Sequence, residues 1–315
     1  MLAKALRVAV TFACLNIGPS LAADVVKVVT AHGVWDAYVT EAAYRAGYFA
    51  KQDPKLEFLY SAGSGETLQA VISGAADVGD IGTLGALSAY LKGAPIRIIA
   101  AEATGSSEFW YVKSDSNIFS LKDAENKSIA FSSVGSSTNS VVRAFVHENK
   151  INAKLVPTGS PAATLTAVMT GQIDVGWSSP PFGLKELDEG KIRIIARGND
   201  LASIRGQTIR VVVVNAESLK TKRKALEYLV HARAKAVEVM YQEDSPSIVN
   251  FAESNRISVE MAKRMRTFYP KAMLDPFNVS GIKELMDEAV ALKFIPRVLS
   301  PQELNELIQI VKPAN

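Results

Sequence analysis

Two stretches of this chain are close copies. Residues 67–79 read TLQAVISGAADVG and residues 164–176 read TLTAVMTGQIDVG, with eight of the thirteen positions identical and 97 residues between them. Shared Thr, Gly and Asp at matched spacing are harder to reach by hydrophobic pattern alone than a generic helix–turn–strand likeness. Two copies at so long a period mean a duplicated supersecondary unit and two lobes, not a solenoid.

The surroundings of the two copies repeat as well. In the first half, β-branched or alternating runs at Val25–Thr30, Lys55–Tyr60, Val78–Ile81 and Ile96–Ala100 predict strands. Helical patterns lie between them: Asp36–Ala46 ending at Gly47, a stretch opened by Gly63-Ser64-Gly65-Glu66 and ended by Gly74, and Leu84–Leu91. In the second half the strands are Ser128–Phe131, Lys154–Pro157, Asp174–Trp177 and Ile192–Ala196, with helices at Ser136–Asn149, Pro161–Thr170 and Pro180–Glu189. Even the closing strand recurs, Arg97-Ile98-Ile99-Ala100 as Arg193-Ile194-Ile195-Ala196. Strands alternating with helices give an α/β class with mostly parallel sheets. Extended segments after each copy, Phe109–Lys113 and Ile209–Asn215, are the expected crossings between lobes. Lobe 1 is therefore predicted to hold residues 23–113 and 216–315, and lobe 2 residues 114–215. Beyond Leu219 the pattern is helical almost to the end, and this tail is expected to pack on lobe 1.

The first 22 residues read as a secretory leader. Lys4 and Arg7 precede an apolar stretch, Val8–Ile17, and Ser20-Leu21-Ala22 offers a cleavage site after Ala22. The stretch is too short to span a bilayer. The only cysteine, Cys14, falls inside it, and Thr11 stands where a lipoprotein signal would want an aliphatic residue. The mature chain would then have no thiol nucleophile, thiolate metal site or disulfide. The formal charge of +3 includes Lys4 and Arg7, so the mature chain is near +1. With no basic block, binding to nucleic acid has little to rest on. The expected location is the periplasm.

In open α/β sheets, ligands sit beyond the carboxyl ends of strands, where loops enter helices. Those loops supply the candidates. Trp35 offers a flat apolar surface, and His32 beside it a possible donor. Ser64, Gly82 and Thr83 sit in small-residue loops that suit close backbone approach or plain capping. In the second half, Ser136, Ser137 and Thr138 place hydroxyls at a helix N-terminus, a favourable place for an anion. Gly159, Ser178 and Ser179 follow the next two strands. Glu102, just past the fourth strand, adds a negative charge. Asp77 and Asp174, inside the repeat, belong at the opposite end of the sheet and read as turn-fixing residues.

Leader, two α/β lobes, two crossings and a helical tail resemble a type II periplasmic solute-binding protein of an ABC importer. The chain is most similar to the nitrate/sulfonate/taurine family with its NMT1/THI5-like relatives. Ala42–Phe49 resembles the family's "A…GYF" element, Thr67–Gly79 its "aL.sGeaDvg" element, Ser132–Asn139 its Gly-Ser-Thr turn and Gly159–Gly176 its "aAl..GqiDa" element. The resemblance covers most of Val25–Lys220. It implies a monomeric receptor with a two-segment hinge that captures a small solute between the lobes, delivers it to an ABC permease, and needs no cofactor or metal. A small molecule with one carboxylate or sulfonate is the expected ligand. A pyrimidine-type thiamine precursor held by Glu102 is the alternative, and a non-transport periplasmic sensor is a second. An exported hydrolase is remote: of the three histidines, His147 and His231 fall in helix patterns, no two have metal-ligand spacing, and no Gly-x-Ser-x-Gly elbow appears.

Overall fold

The computed structural model describes residues 25–49 and 54–312; the leader expected at residues 1–22 lies outside the described residues. Ten strands form: β1 Val25–Ala31, β2 Lys55–Ser61, β3 Val78–Gly82, β4 Ile96–Thr104, β5 Phe109–Lys113, β6 Ser128–Phe131, β7 Lys154–Pro157, β8 Gly176–Ser178, β9 Ile192–Arg197 and β10 Thr208–Asn215. The first sheet runs β2-β1-β3-β10-β4. In the second lobe β8-β5-β9 and β6-β7 pair, and a parallel bridge from Ile129 to Val175 joins the two groups. The second lobe thus has the order β7-β6-β8-β5-β9, the image of the first.

Each sheet contains one strand from the other half of the chain. β5 follows the first unit yet lies antiparallel between β8 and β9 of the second. β10 follows the second unit yet lies antiparallel between β3 and β4 of the first. The segments predicted as crossings are therefore interior strands. The chain crosses earlier in both cases, at residues 105–108 and 198–207. The boundaries expected at Lys113 and Asn215 shift to match. The physical reason lies in the run Val211–Val214. Val211 and Val213 are buried in one core cluster and Val212 and Val214 in the other. A continuous β-branched run buried on both faces is a central strand, and only a sheet with helices on both sides can cover it.

The repeat has a structural explanation at three positions. Thr67 and Thr164 place their hydroxyls 2.6 Å from Ser61 Oγ and Thr158 Oγ1, at the end of the preceding strand. Gly79 and Gly176 let helix and strand touch: a Cβ on either would stand 2.6 Å from Thr67 Cγ2 or 2.7 Å from Val168 Cγ2. Asp77 accepts from the Lys27 N–H at 2.8 Å, and Asp174 from the Ser128 N–H at 2.9 Å, so each carboxylate ties its strand to the start of the neighbouring one. Asp77 does more. It also accepts from Ser218 Oγ at 2.5 Å and Lys222 Nζ at 2.9 Å, which anchors the start of the tail to lobe 1.

The tail is helical, at residues 216–221, 223–240, 246–255, 259–266, 282–291 and 301–307. Its later helices pack against the first sheet. Leu285, Met286 and Ala289 join Ile81, Leu87, Ile98 and Val211 in one buried cluster. Past the last helix, the Gln309 and Val311 N–H groups donate to the Ile98 and Ile99 carbonyls at 2.8 and 3.0 Å. That covers the free edge of β4, which would otherwise be open to pairing with another chain. Among the described residues no helix is long and apolar enough to cross a membrane.

Burial alone would raise both repeated aspartates, but the hydrogen bonds from Lys222, Ser218 and Lys27 lower Asp77 below its ordinary 3.8, and those from Ser128 lower Asp174. A depressed folded-state value contributes stability that is present at neutral pH. It is lost as pH falls below 3.8 through the folded-state value. Asp77→Ala should destabilise by about 2–3 kcal/mol at pH 7, since bonds to a charged acceptor are lost from a buried site. Exposed Asp174→Ala should cost less. Urea unfolding at pH 7 and pH 3 checks both, and the gap between each variant and wild type should narrow at the lower pH.

Candidate ligand-binding cleft

A cavity of about 240 Å³ lies between the lobes. Lobe 1 contributes the loop after β1 (Ala31, His32 and Val34), the turn from Ser61 to Ser64 after β2, and three charged side chains from its sheet: Asp80 of β3, Glu102 of β4 and Arg210 of β10. Lobe 2 contributes Ser132, Ser136–Thr138, Ser160, Trp177, Ser179 and Phe182. All these groups lie at the cleft-facing ends of strands or just beyond them, as strand-to-helix loops require.

Of the residues expected from sequence, His32, Ser64, Glu102, Ser136, Ser137, Thr138 and Ser179 line this cavity. The other five do not. Trp35 is fully buried, stacks on Tyr38 at 5.9 Å, meets Phe251 edge-on at 5.2 Å and donates Nε1–H to Tyr241 Oη at 3.2 Å. It is core between lobe 1 and the tail, and the flat apolar wall comes instead from Trp177, whose Nε1 donates to Thr158 Oγ1 at 3.0 Å. Thr83 donates its hydroxyl to the Thr208 carbonyl at 2.6 Å. Ser178 gives its hydroxyl to the Phe182 carbonyl at 2.8 Å. Gly159 accepts from Ser132 Oγ at 2.9 Å through its carbonyl. Gly82 sits in the seam between lobes, where a Cβ would stand 2.4 Å from the Gly135 carbonyl oxygen. Glycine is needed there for backbone approach across the seam, and the Gly85 N–H donates to that same oxygen at 2.9 Å.

The hydroxyl cluster of the second lobe is largely committed to structure. Ser136 Oγ caps the helix Ser137–Asn149 by accepting from the Asn139 N–H at 3.2 Å. Thr138 Oγ1 accepts from the Ser132 N–H at 2.8 Å. Ser137 donates to Glu108 Oε1 at 2.8 Å and accepts from Arg210 Nε at 3.0 Å.

Arg210 is the centre of the charge arrangement. Its two terminal nitrogens pair with Asp36 and with Glu108, both fully buried. The guanidinium therefore joins lobe 1 through Asp36, the first crossing through Glu108 and lobe 2 through Ser137. Burial would lower Arg210, but the two carboxylates outweigh it and hold the guanidinium firmly protonated. Its two partners respond in opposite directions. Burial raises both, yet Glu108 ends below its ordinary value because Arg210, Ser106 and Ser137 all donate to it, whereas Asp36 receives only Arg210 and the Ala37 N–H and stays raised. A second buried arginine, Arg233, faces Asp80 at 3.4 Å and donates to Thr40 Oγ1 at 2.5 Å.

Sequence reasoning missed Arg210, Asp80, Asp36, Glu108 and Trp177. Three of these had a signal. Asp80 and Trp177 are the residues directly after each copy of the repeat, 97 positions apart, and both line the cavity. Arg210 was marked by a charge beside the buried run Val211–Val214.

The NMT1/THI5-like family model matches residues 38–245. The chain belongs to the NMT1/THI5-like family. No curated relative matches it. Solved structures similar to this NMT1/THI5-like chain share the periplasmic-binding-protein fold. The alkanesulfonate-binding protein SsuA from Xanthomonas axonopodis pv. citri, bound to MOPS, has 17% identity and a TM-score of 0.77, over 92% of this chain and 100% of that one. The periplasmic nitrate-binding protein NrtA from Synechocystis PCC 6803 has 13% identity and a TM-score of 0.75, over 91% and 86%. The ligand-binding component of an ABC-type import system from Staphylococcus aureus has 15% identity and a TM-score of 0.73, over 91% and 99%.

Removing Arg210 leaves two buried carboxylates without their cation. Arg210→Met should destabilise by about 3–5 kcal/mol at pH 7. The loss should shrink toward pH 5, because the orphaned carboxyls, raised by burial, then fold in protonated form. Thermal unfolding at the two pH values checks this; a loss independent of pH would show that packing rather than charge is at stake.

Proposed function

We propose that this protein is a periplasmic receptor, monomeric, that closes its two lobes around a small organic solute and hands it to an ABC permease in the membrane. The observation that carries this reading is the cavity itself. It is built from the strand-end loops of both sheets, so a solute held there touches both lobes and favours their closure. The two short crossings at residues 105–108 and 198–207 are the places where such a motion would bend. The leader predicted at residues 1–22 and the family of the chain support the same assignment, and the similar structures named above include binding proteins for alkanesulfonate and nitrate.

The ligand's chemistry is narrower than "small solute". A carboxylate or sulfonate is the reading that follows from the hydroxyl loops, and the backbone N–H groups at the start of the helix Ser137–Asn149 are the donors it would use. Against that, the cavity's arginine is already shared between Asp36 and Glu108, and Asp80 and Glu102 also face the space. A nitrogen-bearing ring such as a pyrimidine-type thiamine precursor has Glu102 in its favour. Trp177 offers either one a flat surface.

The test is a thermal-shift screen of the mature chain with sulfonates, carboxylates, aromatic acids and pyrimidines. A ligand at one hundred times its dissociation constant stabilises by about 2.7 kcal/mol through mass action. Phe182→Ala should weaken binding of the hit by roughly tenfold, with little loss of stability, since Phe182 lines the cavity but is 38% exposed. Turnover of the hit would sink the receptor reading. Uptake that persists when the receptor is deleted would favour a sensor over a transport component.

A further inference from the structure

The cavity carries more acid than base, and two of its acidic oxygens have no partner. Among the described buried atoms, Asp80 Oδ2 and Glu102 Oε2 make no hydrogen bond. Both residues line the cavity, and both are at least nine-tenths buried, at 9% and 3% exposure. A buried polar atom left unpaired is destabilising, so two of them on one cavity wall mark groups kept for an incoming donor.

Their placement is built into the sheet. Asp80 is opposite Val212 on β10, and the pairing between β10 and β4 passes from Arg210–Ala103 to Val211–Ala101, skipping Glu102. A bulge of this kind turns a side chain out of the regular alternation and recurs beside binding sites. The two carboxyls thus flank β10 from its two neighbouring strands, with Arg210 on the strand between them.

The surroundings are rich in carboxyls. Asp36, Asp80, Glu102 and Glu108 face Arg210 and Arg233, four acids against two bases. Arg210 is occupied by Asp36 and Glu108 and Arg233 by Asp80. Glu102 has no cation of its own.

We propose that Asp80 and Glu102 are one recognition pair for an organic cation that presents at least two N–H donors, such as an amidinium, a guanidinium or a primary ammonium on an apolar body. This rests on the receptor reading and specifies its ligand. The body lies against Trp177, and the cationic head lies between the two carboxyls. In the empty cleft burial and the neighbouring Asp80 and Asp36 push Glu102 well above the ordinary carboxyl value, which favours its protonated form. A cation between the two carboxyls favours their ionised form, so a proton held there in the empty cleft leaves to solvent on binding. Cation binding is thus coupled to proton release, and no other bond is made or broken.

Titration calorimetry of the mature chain at pH 7, in phosphate and in Tris, reads both affinity and protons released. The probes are benzamidinium, agmatine and phenethylammonium as cations, benzoate and methanesulfonate as anions, and 4-aminopyrimidine as a neutral ring. The expected result is that a cation binds with release of protons. Glu102→Gln should abolish that release and weaken the cation roughly ten- to a hundredfold. It keeps the volume and removes a buried acid, so the variant should fold at least as well as wild type; Asp80→Asn, which should also weaken the cation, is the second variant. Binding of an anion or of 4-aminopyrimidine in preference to every cation overturns this ligand class and leaves the receptor reading standing. So does a cation that binds with no proton released and equal affinity in Glu102→Gln. If no probe of any class binds, neither reading survives.

Discussion

The rest of the structure depends on one guanidinium. Arg210 stands at the beginning of β10, where the chain has just returned from lobe 2 to lobe 1. It reaches Asp36 on the loop after β1, Glu108 where the chain has just left lobe 1, and Ser137 at the start of a lobe 2 helix. Two charges buried together are only worth having when geometry and extra hydrogen bonds offset their desolvation. Here the extra bonds come from Ser106, Ser137 and the Ala37 N–H, which satisfy the carboxylates on their free sides. The network ties the lobes together at the crossings, and its Arg210 also lines the cavity between them. It also explains why the cavity's cation is not a free anion-binding group.

Strands, helices and the duplication were legible in the sequence because each depends on local pattern. The repeated Thr, Gly and Asp each satisfy a contact between elements adjacent in the chain, so both copies need them. What local pattern does not carry is the choice of partner strand. Phe109–Lys113 and Ile209–Asn215 were recognised as extended, but their neighbours lie in the other half of the chain, and nothing in either segment says so. Only the four valines hinted at a strand buried on both faces.

The site was half legible for the same reason. Loops that follow strands can be read off the order of elements, and Ser64, Ser136, Ser137, Thr138, Ser179 and Glu102 were found that way. Trp35 and Trp177 show the limit. Both are tryptophans at the cleft-facing end of a strand. What separates them is whether tail residues Tyr241 and Phe251 close over the ring, and these lie more than 200 positions from Trp35 in the chain. Hydroxyl residues misled in a different way. A run such as Ser136-Ser137-Thr138 offers donors to a ligand and caps to a helix in equal measure, and the helix took the hydroxyls first.

The duplication itself shaped the chemistry of the cleft. Asp80 and Trp177 occupy the same position in the two copies, one step beyond the shared Gly that lets helix meet strand. Up to that Gly, both lobes must satisfy the same packing, and the residues are held in common. Beyond it each lobe faces the cavity instead of its own helix, and the common constraint ends. One copy then carries a carboxylate and the other an indole, so two equivalent scaffolds present unlike groups across one space. An acidic wall opposite an aromatic wall is the arrangement that a ligand with a charged nitrogen head and an apolar body would fill, and it arises because the repeat stops where the cavity begins.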